Sequence, residues 1–164
     1  MPLNRRHISV YFAVNSFGDI PFAFPQYTLR YRQQQGQGQV WDDLRKKWLV
    51  LTGEEYVRQQ LIQFILQEKK IGKGRVGIER AIHYHQLRKR FDLIVFDQEA
   101  NPFILIECKA PNVKLSEQTL HQIARYNQVF QAPHLLLTNG PTLWFFSRNE
   151  EGKYDYMEKG WYEG

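Results

Sequence analysis

The sequence contains a single cysteine, Cys108, in a chain of 164 residues. One cysteine cannot form an internal disulfide or a cysteine-rich zinc site, so neither kind of cross-link stabilises the fold. A chain of this length buries enough surface to fold as one domain without them. We therefore expect a cytoplasmic protein in which Cys108 is a small, buried strand residue.

Long apolar runs are also missing, since none approaches the roughly 20 residues that span a bilayer. In HISVYFAV, near the amino terminus, apolar residues recur at every second position, which is the period of a strand, and no signal-peptide cleavage site follows. The basic loop KKIGKGRVG lacks the Gly-Lys-Ser/Thr ending of a phosphate-binding loop. We expect no export signal, no membrane partner and no nucleotide triphosphatase.

Positive charge and aromatic residues are plentiful instead, with a formal net charge of +5, a pI near 9.3 and 15% aromatic residues. A basic surface attracts polyanions such as nucleic acids and speeds their encounter, although many basic proteins bind none. Charge alone leaves both interpretations open.

The first 38 residues are aromatic-rich and β-like, with YTLRYR as a strand candidate, and they end in the polar stretch QQQGQGQ. We interpret residues 1–38 as a β-rich extension, joined by this linker to a domain formed by residues 39–164. Within that domain, VWDDLRKKWLVLT is typical of a hairpin or strand pair.

After this hairpin, two helices and five strands are predicted in the second domain. Thr52 and Glu55 form a capping box for a helix that runs to about Lys69, and Ser116 caps a second helix at residues 117–131. Strand signals lie at residues 76–82, 91–97 and 103–109, and LLLT and TLWFFS flank an Asn-Gly turn pair. This order of helix, three strands, helix and two strands is typical of an α/β domain.

Three ionisable residues interrupt the apolar runs of RFDLIVFDQEANPFILIECKAP, namely Asp92, Glu107 and Lys109. Desolvating an unpartnered charge costs several kcal/mol, so such residues enter strands only when they are paired, hydrated or bound to a metal. A hairpin centred between Glu99 and Ala100 would place Asp92 opposite Glu107, with Cβ atoms about 5 Å apart. Lys109 would project from the same face as Glu107, because side chains alternate along a strand.

Two carboxylates at that distance repel each other, so one must be protonated, pair with Lys109 or share a cation. Mg²⁺ suits such a site because it takes oxygen ligands, and the backbone carbonyl of Cys108 could add another. A water activated beside the ion and Lys109 could attack phosphorus, which predicts phosphodiester hydrolysis. The alternative is a structural salt bridge between Lys109 and one carboxylate.

The D-x14-E-x-K pattern of these three residues resembles the PD-(D/E)XK nuclease superfamily, although Phe91 stands where that family has proline. The fragments EYVRQ, KRFDLIVFD, ECKAP, QIARY and LTNG, in this order, resemble the nuclease domain at the amino terminus of type I restriction enzyme R subunits. The resemblance covers about residues 40–148. It implies a restriction-endonuclease-like fold, with a mixed β-sheet flanked by helices.

By this resemblance, Asp92 and Glu107 would hold Mg²⁺, for which Mn²⁺ is a possible substitute, and Lys109 would position or activate the attacking water. A glutamate of the first helix often joins this metal site. Glu55 matches the family pattern, and Glu54 is the alternative.

The resemblance also implies that Gln122 and Tyr126, one helical turn apart, orient the site or contact the DNA backbone. Arg88, Lys89 and Arg90 immediately precede the acidic strand and could meet phosphates beside the scissile bond, or be solvated loop charges.

The expected function is therefore Mg²⁺-dependent endonucleolytic cleavage of DNA. The alternatives are a catalytically silent nucleic-acid-binding module of the same fold and a domain that docks onto a protein partner. A whole R subunit also needs a translocating ATPase, so a separate motor or restriction-modification subunits are candidate partners.

Overall fold

The computed structural model describes residues 17, 19–78, 82–84, 87–89 and 91–161, with the backbone alone at 82–84 and 87–89. The strand predicted from HISVYFAV lies outside these residues, and so does Arg90. The described residues form three β-sheets and two α-helices.

A three-stranded antiparallel sheet comes first, made of β1 (Tyr31–Gln34), β2 (Gln37–Asp42) and β3 (Lys47–Val50). Helix α1 (Gly53–Gln63) follows and continues as a π-helical turn (Phe64–Glu68), one residue short of the predicted end. The hairpin predicted from VWDDLRKKWLVLT is confirmed by β2 and β3.

A six-stranded sheet forms the centre of the region that follows α1. Its strands are β4 (Val76–Ile78), β7 (Leu93–Phe96), β8 (Pro102–Cys108), β9 (His134–Thr138), β10 (Leu143–Arg148) and β11 (Tyr154–Tyr156). A hairpin of β5 (Ile82–Tyr84) and β6 (Leu87–Lys89) lies between β4 and β7 in the sequence, and helix α2 (Glu117–Phe130) lies between β8 and β9.

The six strands follow the order β11-β10-β9-β8-β7-β4, and all neighbours are antiparallel except β8 and β9. The pair β8 and β9 is parallel because α2 returns the chain to the starting end of the sheet, as a parallel connection requires. The predicted mixed sheet flanked by helices, a restriction-endonuclease-like fold, is confirmed.

The two helices cover opposite faces of this sheet. Ile104 and Ile106 of β8 belong to the same buried cluster as Leu61 of α1, whereas Leu105 belongs to the cluster that contains Ile123 of α2. Each of these side chains is at most 1% exposed, and burying one contributes about 1.5–3 kcal/mol. The alternation along β8 thus fixes the strand between two apolar layers and determines where its polar end emerges.

Thr52 starts α1 as predicted, because its side-chain oxygen accepts a hydrogen bond from the Glu55 N–H at 3.1 Å. The other half of the predicted capping box is replaced, since the Glu55 carboxylate accepts hydrogen bonds from Arg45, Arg58 and Gln59. Glu55 is therefore part of a buried polar network rather than a cap.

The polar stretch QQQGQGQ is not the linker that the sequence predicted. It forms the end of β1, a turn and the start of β2, with Gln35 and Gly36 at φ angles of 50° and 77°. Strand β2 runs across the predicted boundary at residue 38, and its Val40 joins Leu29 and Tyr56 of α1 in one buried cluster. The packing of Val40 against Leu29 and Tyr56 thus outweighs the polar composition of the turn.

Candidate active site

The hairpin of β7 and β8 has the register that the sequence predicted. Leu93 pairs with Ile106, and a β-bulge shifts the register only beyond Val95. Asp92 lies in a bend just before β7, and its N–H donates to the carbonyl oxygen of Ile106 at 3.2 Å. Asp92 and Glu107 are therefore at the same end of the hairpin.

Both carboxylate oxygens of Asp92 accept hydrogen bonds. Oδ1 accepts one from Nη2 of Arg58 at 2.7 Å, and Oδ2 accepts one from the backbone N–H of Cys108 at 2.5 Å. The residue is 8% exposed, so these partners replace most of the water around its charge. Asp92 is thus tied to α1 on one side and to β8 on the other.

Glu107 carries a carboxylate whose charge is poorly compensated. Burial, followed by the nearby charge of Asp92, raises the pKa of Glu107 to about 7, although Lys109 donates a hydrogen bond to it at 2.8 Å. The pKa of Lys109 is also raised. Burial opposes its charge, but the hydrogen bond to Glu107 and the surrounding carboxylates outweigh burial. The salt bridge between Lys109 and one carboxylate, which the sequence left open as the alternative to a metal site, is present, and the metal site itself stays a prediction.

The two glutamates at the start of α1 lie in different surroundings. Glu54 is partly exposed and accepts a hydrogen bond from Nη2 of Arg58 at 3.1 Å, and burial followed by the charge of Asp92 raises its pKa. Glu55 is buried and accepts its bond from Nη1 of Arg58 at 2.6 Å. The charges of Asp92 and Lys109 both act on the Glu54 carboxyl. We call Asp92, Glu107, Lys109 and Glu54 the Asp92 cluster.

A second group of charges lies where β2 meets α1. The fully buried Asp42 accepts hydrogen bonds from Nε of Arg45 at 2.6 Å and from Nε2 of Gln59 at 2.9 Å. Its other oxygen accepts the backbone N–H groups of Leu44 and Arg45, each at 2.8 Å. Burial alone would raise the pKa of Asp42, but these bonds outweigh it and lower the pKa. We call Asp42, Arg45 and Gln59 the Asp42 cluster.

Cys108 is a buried strand residue, as predicted. Its side chain is fully buried on the α1 face of the sheet, and this burial raises the pKa of its thiol well above the usual value. The neutral thiol is part of the core, while the backbone N–H holds Asp92. The role of the Cys108 carbonyl as a metal ligand stays a prediction.

Gln122 and Tyr126 lie on one face of α2, where Nε2 of Gln122 donates to the Tyr126 hydroxyl at 3.1 Å. Tyr126 packs against the apolar layer that also contains Leu105 of β8. Arg88 and Lys89 belong to β6, opposite β5, and the structure describes their backbone only. The DNA contacts of these four residues stay predictions.

The residues that the structure describes do not include a group of three or more His, Cys, Asp or Glu side chains arranged to hold a metal ion. The acids of the Asp92 cluster interact electrostatically, but Arg58 lies between Asp92 and Glu54 and bonds to both. A cation could use these carboxylates together only after a change in that arrangement.

Sequence reasoning gave Arg58 no role and did not single out Asp42. Arg58 was visible only as one letter of EYVRQ, although an arginine three and four residues after two glutamates predicts ion pairs on one helix face. Asp42 gave no such signal, because its partner Arg45 meets it through a turn. The connection from Asp42 through Glu55 to Arg58 and Asp92 appears only in three dimensions.

Comparison with known proteins adds the family. The family model described as the type I restriction enzyme R protein N terminus matches residues 53–159. The chain belongs to this family. The matched region begins at the first residue of α1 and includes every member of the Asp92 cluster, so the resemblance predicted from the sequence fragments is confirmed. A search of curated proteins finds no match to the chain. Within the described ranges, no helix is long and apolar enough to cross a membrane.

Proposed function

We propose that this chain is a Mg²⁺-dependent deoxyribonuclease that hydrolyses phosphodiester bonds at the Asp92 cluster. The carrying observation is that Asp92, Glu107 and Lys109 meet at one end of the central hairpin, where Lys109 donates a hydrogen bond to Glu107 at 2.8 Å. Carboxyl groups that repel each other in a partly buried site are typical of catalytic centres, because structure alone gains nothing from that repulsion. Membership of a restriction enzyme family supports the same proposal.

The chemistry of the cluster fits a hard divalent cation. Asp92, Glu107 and Glu54 supply carboxylate oxygens. A cation there would offset both the burial and the repulsion from Asp92 that raise the pKa of Glu107 and Glu54. When bound, Mg²⁺ would supply a Lewis acid that stabilises negative charge on phosphoryl oxygens.

The chain's own groups would do the rest. Burial does not deprotonate Lys109, because the hydrogen bond to Glu107 and the nearby carboxylates outweigh burial and raise its pKa above the ordinary value of 10.5. Its ammonium group can therefore bind a phosphate oxygen and orient the attacking water. The hydrogen bond at 2.8 Å to Glu107 fixes the direction of that ammonium group. The Cys108 N–H holds Asp92 in place from the backbone of β8, which is a rigid support.

The direct test is cleavage of DNA by the purified chain with and without Mg²⁺. Wild type should cleave with Mg²⁺, and Asp92→Ala and Lys109→Ala should each reduce the rate by about a hundredfold or more. Lys114→Ala, which removes an exposed lysine outside the cluster, is the matched control and should cleave like wild type. Equal activity of wild type, Asp92→Ala and Lys109→Ala would refute the proposal.

A second candidate function, nucleic-acid binding without cleavage, is favoured by the outer face of the first sheet. Arg30 lies over the ring of Trp41 and Arg32 over the ring of Trp48, each at 4.6 Å, and the two tryptophans contact each other edge to face at 5.3 Å. Aromatic and guanidinium planes of this kind can stack with bases while the arginines pair with phosphates. Salt-sensitive DNA binding that Trp48→Ala weakens, together with no cleavage in any divalent cation, would support this candidate over the nuclease.

The partners follow from the same proposal. DNA is the substrate, and the family context makes restriction-modification subunits or a separate ATPase motor the protein partners to test. Co-purification of the chain with such subunits would identify them. Substitution of exposed residues of the chain should abolish this co-purification.

A further inference from the structure

Arg58 holds together the carboxylates that the proposed cation would need. Its Nη2 lies 2.7 Å from Oδ1 of Asp92 and 3.1 Å from Oε1 of Glu54, and its Nη1 lies 2.6 Å from Oε2 of Glu55. The residue is 5% exposed. One buried guanidinium group therefore bridges three acids of α1 and the hairpin.

The partners of Asp92 leave little choice about what can move. Oδ2 is held by the N–H of Cys108, which belongs to the backbone of a central strand in the largest sheet. Oδ1 is held by a side chain with several rotatable bonds. Any ligand that takes the place of one of these two hydrogen bonds will displace Arg58 rather than β8.

We propose that Arg58 acts as a built-in competitor of the divalent cation, occupying the place between Asp92 and Glu54 and leaving it when the cation binds. This inference rests on the proposed metal-dependent function and specifies how that site is regulated. Arg58 is a positioning residue that acts through Asp92, and it sets the cation concentration at which the site becomes competent.

Glu55 gives the displaced arginine a retained partner. Its carboxylate bonds to Arg58 and is fixed from the opposite side by Nη2 of Arg45 at 3.2 Å and by Nε2 of Gln59 at 2.9 Å. Arg58 can thus release Asp92 and Glu54 while its charge remains paired, which avoids the large cost of a buried unpaired cation. The buried position of Glu55 is explained by this role without any contact to the metal.

The same arrangement explains why the described residues show no ready group of metal ligands although the acids interact. The guanidinium group neutralises part of the negative charge and lies between Asp92 and Glu54. Removing Arg58 leaves these carboxylates without that partner, so their affinity for a cation rises.

The test is Mn²⁺ binding to the full chain, measured by calorimetry and by the loss of the free-ion paramagnetic resonance signal. Arg58→Gln should bind Mn²⁺ about tenfold or more tighter than wild type. Arg45→Gln is the matched control, because it removes an arginine from the same network that has no bond to Asp92, and its affinity should stay within about threefold of wild type. Circular dichroism confirms that each variant is folded.

Equal or weaker binding by folded Arg58→Gln would overturn the inference, and so would equal tightening by Arg45→Gln. Absence of Mn²⁺ binding in every protein would refute the metal-dependent function itself, which distinguishes the two failures. If Arg58→Gln does not fold, hydrogen exchange of the Arg58 guanidinium group in wild type decides. Exchange should accelerate at saturating Mg²⁺, and unchanged exchange at saturation would contradict displacement.

Discussion

The Asp42 cluster and the Asp92 cluster are two groups of charged side chains that both meet helix α1, and they are organised in opposite ways. Every described hydrogen-bond partner of the Asp42 carboxylate is a donor, either a backbone N–H group or a cationic or amide side chain. The pKa of Asp42 is lowered. In the Asp92 cluster, burial and then the charge of the neighbouring Asp92 raise the pKa of Glu107 to about 7. The first arrangement stabilises the fold. In the second, the carboxylates repel each other, and a cationic ligand can relieve that repulsion.

The contrast shows how a structural ion-pair network differs from a candidate active site. Both groups contain a buried aspartate and an arginine or lysine, so burial and charge alone do not separate them. The direction of the pKa shift does, because it reports whether the surroundings favour the charged form of the acid. Arg58 and Glu55 connect the two clusters. The bond between Arg58 and Asp92 therefore lies between the fully hydrogen-bonded Asp42 and a group of acids that repel each other.

The largest expected effect comes from breaking the structural cluster. Asp42→Ala should lower the free energy of unfolding by about 3–5 kcal/mol, because it removes four hydrogen bonds and leaves Arg45 without its closest carboxylate. Urea unfolding at neutral pH measures this. Asp43→Ala, at a neighbouring and partly exposed carboxylate, should cost about 1 kcal/mol or less.

The pH dependence of that loss sharpens the comparison. Because the pKa of Asp42 is lowered in the fold, its contribution is present above its ordinary value of 3.8 and is lost as the pH falls through the folded-state value. Wild type and Asp42→Ala should therefore converge in acid. A difference that persists unchanged in strong acid would show that the carboxylate charge is not what stabilises this region.

Glu107→Gln should have the opposite sign. Burial and Asp92 raise the pKa of Glu107 from 4.5 to about 7, so the folded state loses stability as the pH rises between these values. A neutral glutamine escapes this loss. The variant should match wild type near pH 4 and be more stable by about 3 kcal/mol near pH 8, since the pKa rises from 4.5 to about 7 and each pKa unit corresponds to about 1.4 kcal/mol.

Urea unfolding at several pH values tests this prediction. Glu99→Gln, at an exposed position in the turn between β7 and β8, serves as the control and should leave the pH dependence unchanged. Equal pH dependence of wild type and Glu107→Gln would mean that the fold does not raise the pKa of Glu107. The contrast between the two clusters would then fail.

The smallest effect is expected where the two clusters share a support. Thr52→Ala removes the cap of α1, whose first turn carries both Glu54 and Glu55, and should lower the free energy of unfolding by about 1 kcal/mol at any pH between about 5 and 8. Thermal unfolding of Thr52→Ser, which retains the hydroxyl, should match wild type. A strongly pH-dependent effect would show that the cap influences the clusters directly.

Much of the fold could be predicted because its signals are local. Thr52 and Ser116 cap the helices through their own side chains. Continuous apolar runs mark β7 and β8, and the turn between them gives the Leu93–Ile106 register. The QQQGQGQ stretch was misread for the same reason. Its composition indicated a linker, while the packing of Val40 against Tyr56 makes it part of a sheet.

The candidate site was only partly predictable. The spacing of Asp92, Glu107 and Lys109 along one hairpin could be read from alternation, since those contacts lie between neighbouring strands. The bond from Arg58 to Asp92 joins residues 34 positions apart on different elements, so no periodicity indicates it. The choice between Glu54 and Glu55 likewise depends on which side of α1 meets β2 and which side meets the hairpin.

The central claim is that Glu107 belongs to a site with excess negative charge that a divalent cation relieves. Carbon-detected NMR titration of the Glu107 carboxyl, assigned with Glu107→Gln, measures this directly. We expect a pKa near 7 without metal and a clearly lower pKa at saturating Mg²⁺. A carboxyl that titrates near 4.5 and does not respond to Mg²⁺ would contradict the account.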